Sequence, residues 1–144
     1  MKALRNTVLL LTILLPLTTA FTQNKDLGLA NEFYSAEDYQ KAVDIYQKYI
    51  YRPDYYGQVY EPFVHSKIKL RQDEDLSKVL KKLLKQNQKA LVRVDLLVAY
   101  RRMSDLKAAD KQYKNILDKT KDDNLALTEV MAAFELRQDY QDYE

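Results

Sequence analysis

Helical periodicity is the feature that most limits what this chain can fold into. In the middle of the sequence, apolar residues recur three and four positions apart at Leu76, Val79, Leu80, Leu83 and Leu84. That spacing places all of them on one face of an α-helix. Similar stripes lie on either side: Tyr39, Ala42, Val43, Tyr46 and Ile50 before it, and Leu106, Ala109, Tyr113, Ile116 and Leu117 after it. The pattern predicts an all-α fold.

The predicted helices come in pairs. Each stripe follows a cluster suited to capping a helix N-terminus, namely Glu37-Asp38, Asp73-Glu74-Asp75 or Ser104-Asp105. Because another apolar-patterned stretch precedes each cluster, helix pairs are expected over residues 25–50, 58–86 and 91–119, with a further helix from about Asn124. The turn residues Asp38, Asp75, Asp105 and Asp139 are 37, 30 and 34 residues apart. Their mean spacing is about 34 residues, which is a known repeat period of helical hairpins.

The residue types at equivalent positions of these repeats resemble the sequence pattern of the tetratricopeptide-repeat family. The first repeat has Leu29-Ala30 with Phe33, then Ala42, Tyr46 and a closing Pro53. The third has Leu96-Leu97 with Tyr100, then Ala109 and Tyr113; the fourth has Val130-Met131 with Phe134, then Asp139-Tyr140. The second, aligned as Ser66-Lys67 with Leu70 and then Val79 and Leu83, agrees in apolar character. The resemblance covers residues 23–144 and implies a right-handed α-solenoid of about three and a half helix pairs.

The resemblance also implies where a partner would bind. In this family the first helix of each pair lines the concave surface, and the matching positions here are Asn31, Tyr34, Arg71, Arg101 and Arg102. Asn31 matches an asparagine that peptide-binding members use to hold the ligand backbone. The basic residues of the two-carboxylate clamp are replaced by Leu27, Leu91 and Asp95, so a receptor for chaperone tails is not expected.

Residues 1–20 have the pattern of a secretory signal peptide. Lys2 and Arg5 precede an apolar run from Val8 to Leu15, and small residues follow up to Ala20. The apolar stretch from Thr7 to Phe21 is shorter than the roughly 17–25 residues of a membrane-spanning helix. We therefore predict cleavage after Ala20 and a repeat domain over residues 21–144, without a membrane span. The predicted location is the periplasm, or the periplasmic face of the outer membrane, of a Gram-negative-type bacterium.

The composition argues against most catalytic chemistry. The chain has no cysteine, which excludes a catalytic thiol, a disulfide and a thiolate zinc site. Its two glycines, Gly28 and Gly57, are too far apart for a phosphate-binding loop. His65 is the single histidine and has no co-ligands or nucleophile at a motif spacing. We predict that the chain is not an enzyme and uses no cofactor or metal.

Tyrosines and basic residues each leave two interpretations open. Eight of the twelve tyrosines lie between Tyr34 and Tyr60, and those at 51, 55, 56 and 60 either pack against the next repeat or form a patch for peptide or glycan. Residues 66–102 carry eleven basic and four acidic side chains, between segments of net charge −3 and −4. The basic belt comprises Lys67, Lys69, Arg71, Lys78, Lys81, Lys82, Lys85, Lys89, Arg93, Arg101 and Arg102. It is either a solvated helix face or an attractor for an anionic partner.

These observations predict a scaffold that binds another envelope protein or a peptide, without binding nucleic acid. One alternative is a binder of envelope polysaccharide that uses the tyrosines and the basic belt. Another is the regulatory arm of an enzyme whose catalytic domain lies beyond Glu144. Residues 139–144 resemble the start of a further helix. We therefore expect the last apolar surface to be covered by more chain or by a partner.

Overall fold

The computed structural model describes residues 25–87 and 89–138, and within them every regular element is an α-helix. The predicted signal peptide and residues 139–144 lie outside this part. Helix α1 occupies residues 25–35. The later helices are α2 (Tyr39–Tyr46), α3 (Pro53–Lys69), α4 (Asp73–Gln86), α5 (Ala90–Arg102), α6 (Leu106–Thr120) and α7 (Asn124–Leu136). The all-α prediction is confirmed for these residues, although α3 begins five residues earlier than expected because Pro53 starts it.

The turns between α1 and α2 and between α5 and α6 are tight because a single aspartate ends the first helix and caps the second. The Asp38 amide donates to the Phe33 carbonyl and closes α1, and the Asp38 carboxylate accepts from the Lys41 amide and caps α2. Asp105 does the same between α5 and α6, through the Tyr100 carbonyl and the Ala108 amide. In both turns the residue before the aspartate, Glu37 or Ser104, has a left-handed backbone conformation with positive φ, which this type of helix ending requires.

The left-handed residues reveal a repeat in the backbone. They are Glu37, Arg71 and Ser104, with φ of 59°, 54° and 58°, and they are 34 and 33 residues apart. Five positions after them lie Ala42, Leu76 and Ala109, and seven positions before them lie Ala30, Val64 and Leu97; all six are buried. The backbone therefore recurs at nearly the spacing that the sequence predicted.

The second repeat was aligned incorrectly from the sequence. Asp75 was matched with Asp38 and Asp105, but the residue at that place is Gln72, the N-cap of α4. Asp73, Glu74 and Asp75 lie instead in the first helical turn, where the helix dipole favours acidic side chains as a cap position does. The misalignment placed Ser66-Lys67 at the positions that Phe63-Val64 occupy in the backbone repeat.

The chain divides into two compact units at the boundary between Leu70 and Arg71. In the N-terminal unit, α2 packs on α3, and the buried residues include Tyr46, Ile50, Tyr60 and Phe63. In the C-terminal unit, α5 packs against α4, α6 and α7. One buried cluster there joins Val94, Leu97 and Val98 of α5 to Ala109 and Ile116 of α6 and to Val130 and Ala133 of α7.

The apolar stripe of α6 is only half buried. Ala109 and Ile116 are in the core, but Leu106, Tyr113 and Leu117 are 68%, 43% and 47% exposed. The stripe predicted the helix correctly and overstated its burial, because no other described element covers this flank. Four more large apolar side chains are exposed on α7: Leu125, Leu127, Met131 and Leu136.

Candidate partner-binding surfaces

Asn31 lies on the exposed side of α1, with its side-chain oxygen held by the helix that follows. The Tyr46 hydroxyl donates to Asn31 Oδ1 over 2.7 Å, and Tyr46 itself is completely buried. Burial and the nearby Tyr34 raise the pKa of the Tyr46 phenol to about 12. Tyr46 thus fixes the orientation of an exposed amide, which is the kind of group that can hold a ligand backbone.

Stability at high pH tests this hydrogen bond. In the unfolded chain Tyr46 loses its proton near pH 10, whereas the folded chain keeps it until about pH 12. The contribution of Tyr46 to stability is therefore present below pH 10 and is lost as the pH rises from about 10 to 12, by about 2 kcal/mol. We expect Tyr46→Phe to flatten this alkaline loss, measured by urea unfolding at pH 7, 10 and 11.

Tyr113→Phe is the matched control because its phenol is 43% exposed. This variant should keep the alkaline slope of the parent chain. An unchanged slope in Tyr46→Phe as well would contradict the buried position of the Tyr46 hydroxyl. At pH 7, Tyr46→Phe is expected to cost about 1 kcal/mol for the lost hydrogen bond.

Tyr34 belongs to an aromatic cluster with Tyr39 and His65. Its hydroxyl forms a 3.0 Å hydrogen bond with His65 Nδ1. The ring centroids of Tyr34, Tyr39 and His65 are 5.5–6.0 Å apart in edge-to-face arrangements. Burial, Tyr39 and Glu61 raise the pKa of the Tyr34 phenol. Tyr34 is therefore half-buried and positioned by α2 and α3, one helical turn from Asn31 on α1.

The predicted tyrosine patch is largely packed against the protein itself. Tyr60 is only 2% exposed and belongs to the core, which removes it from the predicted surface. Tyr56 stacks on Tyr60 with ring centroids 4.9 Å apart, and the Arg52 guanidinium lies 4.7 Å from the Tyr55 ring centroid. Tyr51 is half-buried, and burial raises the pKa of its phenol. The contacts favour packing over an open aromatic surface.

The three arginines predicted to bind a partner have different environments. Arg71 and Arg101 are exposed, one at the left-handed position before α4 and the other near the end of α5. Arg102 donates through Nε to Asp73 Oδ1 over 2.7 Å, and the two side chains are 16% and 11% exposed. Arg102 therefore ties the end of α5 to the start of α4, while Arg71 and Arg101 face solvent.

A buried ion pair in the C-terminal unit had no signal in the sequence. The Arg137 guanidinium donates to the Asp95 carboxylate through Nε at 2.5 Å and through Nη2 at 3.0 Å. Both side chains are at most 2% exposed. The two residues are 42 positions apart, and only the packing of α7 on α5 brings them together.

No helix within residues 25–87 and 89–138 combines the length and apolar character needed to cross a bilayer. The same residues contain no group of three or more His, Asp or Glu side chains placed to hold a metal ion.

Comparisons with protein-family models, with curated proteins and with solved structures give no match to this chain.

Proposed function

We propose that this chain is an exported tetratricopeptide-like repeat protein that binds another protein of the bacterial cell envelope. In the proposal the helix pairs form a right-handed α-solenoid, and Asn31, Tyr34, Arg71 and Arg101 contact the partner. Recognition depends on shape and charge, and no catalytic step is assigned to the chain. The predicted signal peptide supports the location.

The observation that carries this proposal is the backbone repeat. Glu37, Arg71 and Ser104 hold the same left-handed conformation at intervals of 34 and 33 residues. Helical hairpins repeated at this interval are typical of solenoids, whose extended surfaces bind proteins. The buried small residues Ala30, Ala42 and Ala109 support close helix packing within each pair, as in the family.

Exposed apolar side chains on α6 and α7 are evidence that a partner or additional chain covers this surface. Leu117 on α6 and Met131 on α7 are 47% and 56% exposed, and both belong to stripes that a further helix would cover. Apolar side chains concentrated on two neighbouring helices are unusual for a surface that meets only water.

Affinity capture from an envelope extract tests the proposal. The chain carrying Arg71→Ala and Arg101→Ala is compared with the parent chain, and Arg102 is left unchanged because it pairs with Asp73. We expect the parent chain to recover one defined envelope protein and the double variant to recover at least tenfold less, since exposed arginines are frequent binding hot spots.

Lys48→Ala with Lys121→Ala is the matched control, because both lysines are exposed and neither is predicted to contact the partner. Its recovery should equal that of the parent chain. Equal recovery by all three chains would show that Arg71 and Arg101 do not contact the partner. The scaffold proposal fails if the parent chain and the control have no captured envelope protein in common.

A further inference from the structure

One face of three consecutive helices forms an open groove of about 960 Å³ in the C-terminal unit. Helix α5 supplies its base through Arg93, Leu96 and Tyr100, which are buried or half-buried. Helices α4 and α6 supply its walls. The wall residues are Lys81, Leu84 and Lys85 of α4 and Lys107, Ala108, Asp110, Lys111, Gln112, Lys114, Asn115, Asp118 and Lys119 of α6.

The groove is strongly basic. Six lysines and Arg93 line it against only two acidic residues, Asp110 and Asp118. None of the six lysines forms a salt bridge with any residue that the structure describes. Lys78 of α4, which does not line the groove, shows the contrast, because it pairs with Glu74 at 2.8 Å and with Asp75 at 3.6 Å. Among the described residues these lysines therefore have no ion-pair partner, and the excess of positive charge favours an anionic occupant.

Hydrogen-bonded polar groups and apolar side chains both line the groove. Arg93 is 9% exposed and donates from Nη1 to Asn115 Oδ1 over 2.9 Å, while Gln112 donates to the Arg93 carbonyl over 3.0 Å. Leu84 of α4 and Leu96 of α5 are the leucines of the lining. Burial lowers the pKa of the Arg93 guanidinium. Cationic walls above a partly apolar base complement a segment that has carboxylates and apolar side chains together.

The groove does not present the stacking surface that sugars and nucleobases use. Tyr100 is its single aromatic lining residue, and the Lys81 ammonium lies 5.2 Å from the centroid of that ring. Recognition of single-stranded nucleic acid relies on open aromatic faces as well as on positive charge. The occupied face of Tyr100 therefore favours a polypeptide over an anionic polymer.

We propose that this groove binds an acidic amphipathic segment of a partner protein, with its carboxylates against the lysines of α4 and α6 and its apolar side chains against Leu84 and Leu96. The inference rests on the proposed function because the occupant is a protein. It adds a second contact that does not include the exposed Arg71 and Arg101, and it specifies the chemistry of the partner.

Fluorescence anisotropy with a labelled 16-residue peptide of glutamates and leucines, patterned to give one acidic and one apolar helix face, tests this assignment. The binding protein is the chain as purified after export. Lys85→Glu with Lys111→Glu reverses one exposed charge on each wall. We expect this variant to bind the peptide at least tenfold more weakly, and we expect binding by the parent chain to weaken as salt rises.

Lys25→Glu with Lys48→Glu is the control, since it makes the same change in net charge at exposed lysines outside the groove. It should change the dissociation constant less than twofold. Equal weakening in both variants would overturn the assignment, as would equal binding of a scrambled peptide of the same composition. Tighter, groove-dependent binding of heparin or oligo(dT) would overturn it in favour of a polymer.

The affinity capture described above separates the two proposals. If the captured envelope protein is lost with Arg71→Ala and Arg101→Ala but is retained by the charge-reversed groove variant, the groove assignment fails and the scaffold function stands. If the groove variant fails to capture that protein and also binds the peptide more weakly, the result supports both the scaffold function and the groove assignment.

Discussion

Replacing Arg137 with methionine is expected to lower the free energy of unfolding of the C-terminal unit by about 3–5 kcal/mol. The Asp95 side chain is 1% exposed and receives two hydrogen bonds from the Arg137 guanidinium. Methionine fills similar space but leaves a carboxylate buried without its cationic partner. Urea unfolding followed by circular dichroism at pH 7 measures the change.

The double variant Asp95→Leu with Arg137→Met is the informative comparison. It removes both charges, and replacing a whole buried ion pair by apolar side chains is often neutral or stabilising. We therefore expect it to be clearly more stable than Arg137→Met alone. Lys78→Met, which breaks a pair whose side chains are 63% and 77% exposed, should leave the unfolding curve unchanged. A similarly small effect of Arg137→Met would contradict the buried geometry of the pair.

In the N-terminal unit, Phe63→Ala is expected to be the most damaging single truncation, at about 3–5 kcal/mol. The ring is fully buried on α3, in the core that this helix shares with α2. Its removal leaves a cavity, and it also deprives the buried Lys67 of the ring whose centroid lies 5.9 Å from its ammonium nitrogen. The same unfolding experiment measures the loss.

Two variants calibrate this result. Phe63→Leu keeps most of the apolar volume and should cost clearly less than the alanine variant. Leu125→Ala removes a side chain that is 71% exposed, and it should change stability by less than about 0.5 kcal/mol. If Phe63→Ala were no more costly than Leu125→Ala, Phe63 would not be part of the core as described.

Local features of this chain were predictable because their causes are local. Asp38 and Asp105 were predicted as caps, and both carboxylates accept from backbone amides three residues later. Asp75 was misassigned because acidic residues are favoured both at the N-cap and throughout the first helical turn. A charged cluster therefore marks a helix start to within a turn, without identifying the N-cap position, which here is Gln72 and has no side-chain capping hydrogen bond.

The distribution of charge along the sequence predicted the basic surface of the folded chain only in part. Residues 66–102 were recognised as basic, yet Lys67 is buried and Arg102 pairs with Asp73. Four of the seven cations in the groove come from α6, in a segment of net charge −4. Net charge per segment sums all sides of a helix, whereas a binding surface is formed by one side. Which charged side of a helix points to solvent depends on which neighbouring helix buries its apolar stripe.

The sequence alone determined that the chain is helical, where most helices begin, and that a helix–turn–helix unit recurs about every 34 residues. These properties depend on residues three to five positions apart, so they can be recognised in a linear pattern. Only the tertiary structure decided that Asp95 pairs with Arg137, that Tyr60 is core and Leu117 is exposed, and that lysines of α4 and α6 line one groove. These outcomes depend on which helix faces pack together, and that is determined by contacts between residues far apart in the sequence.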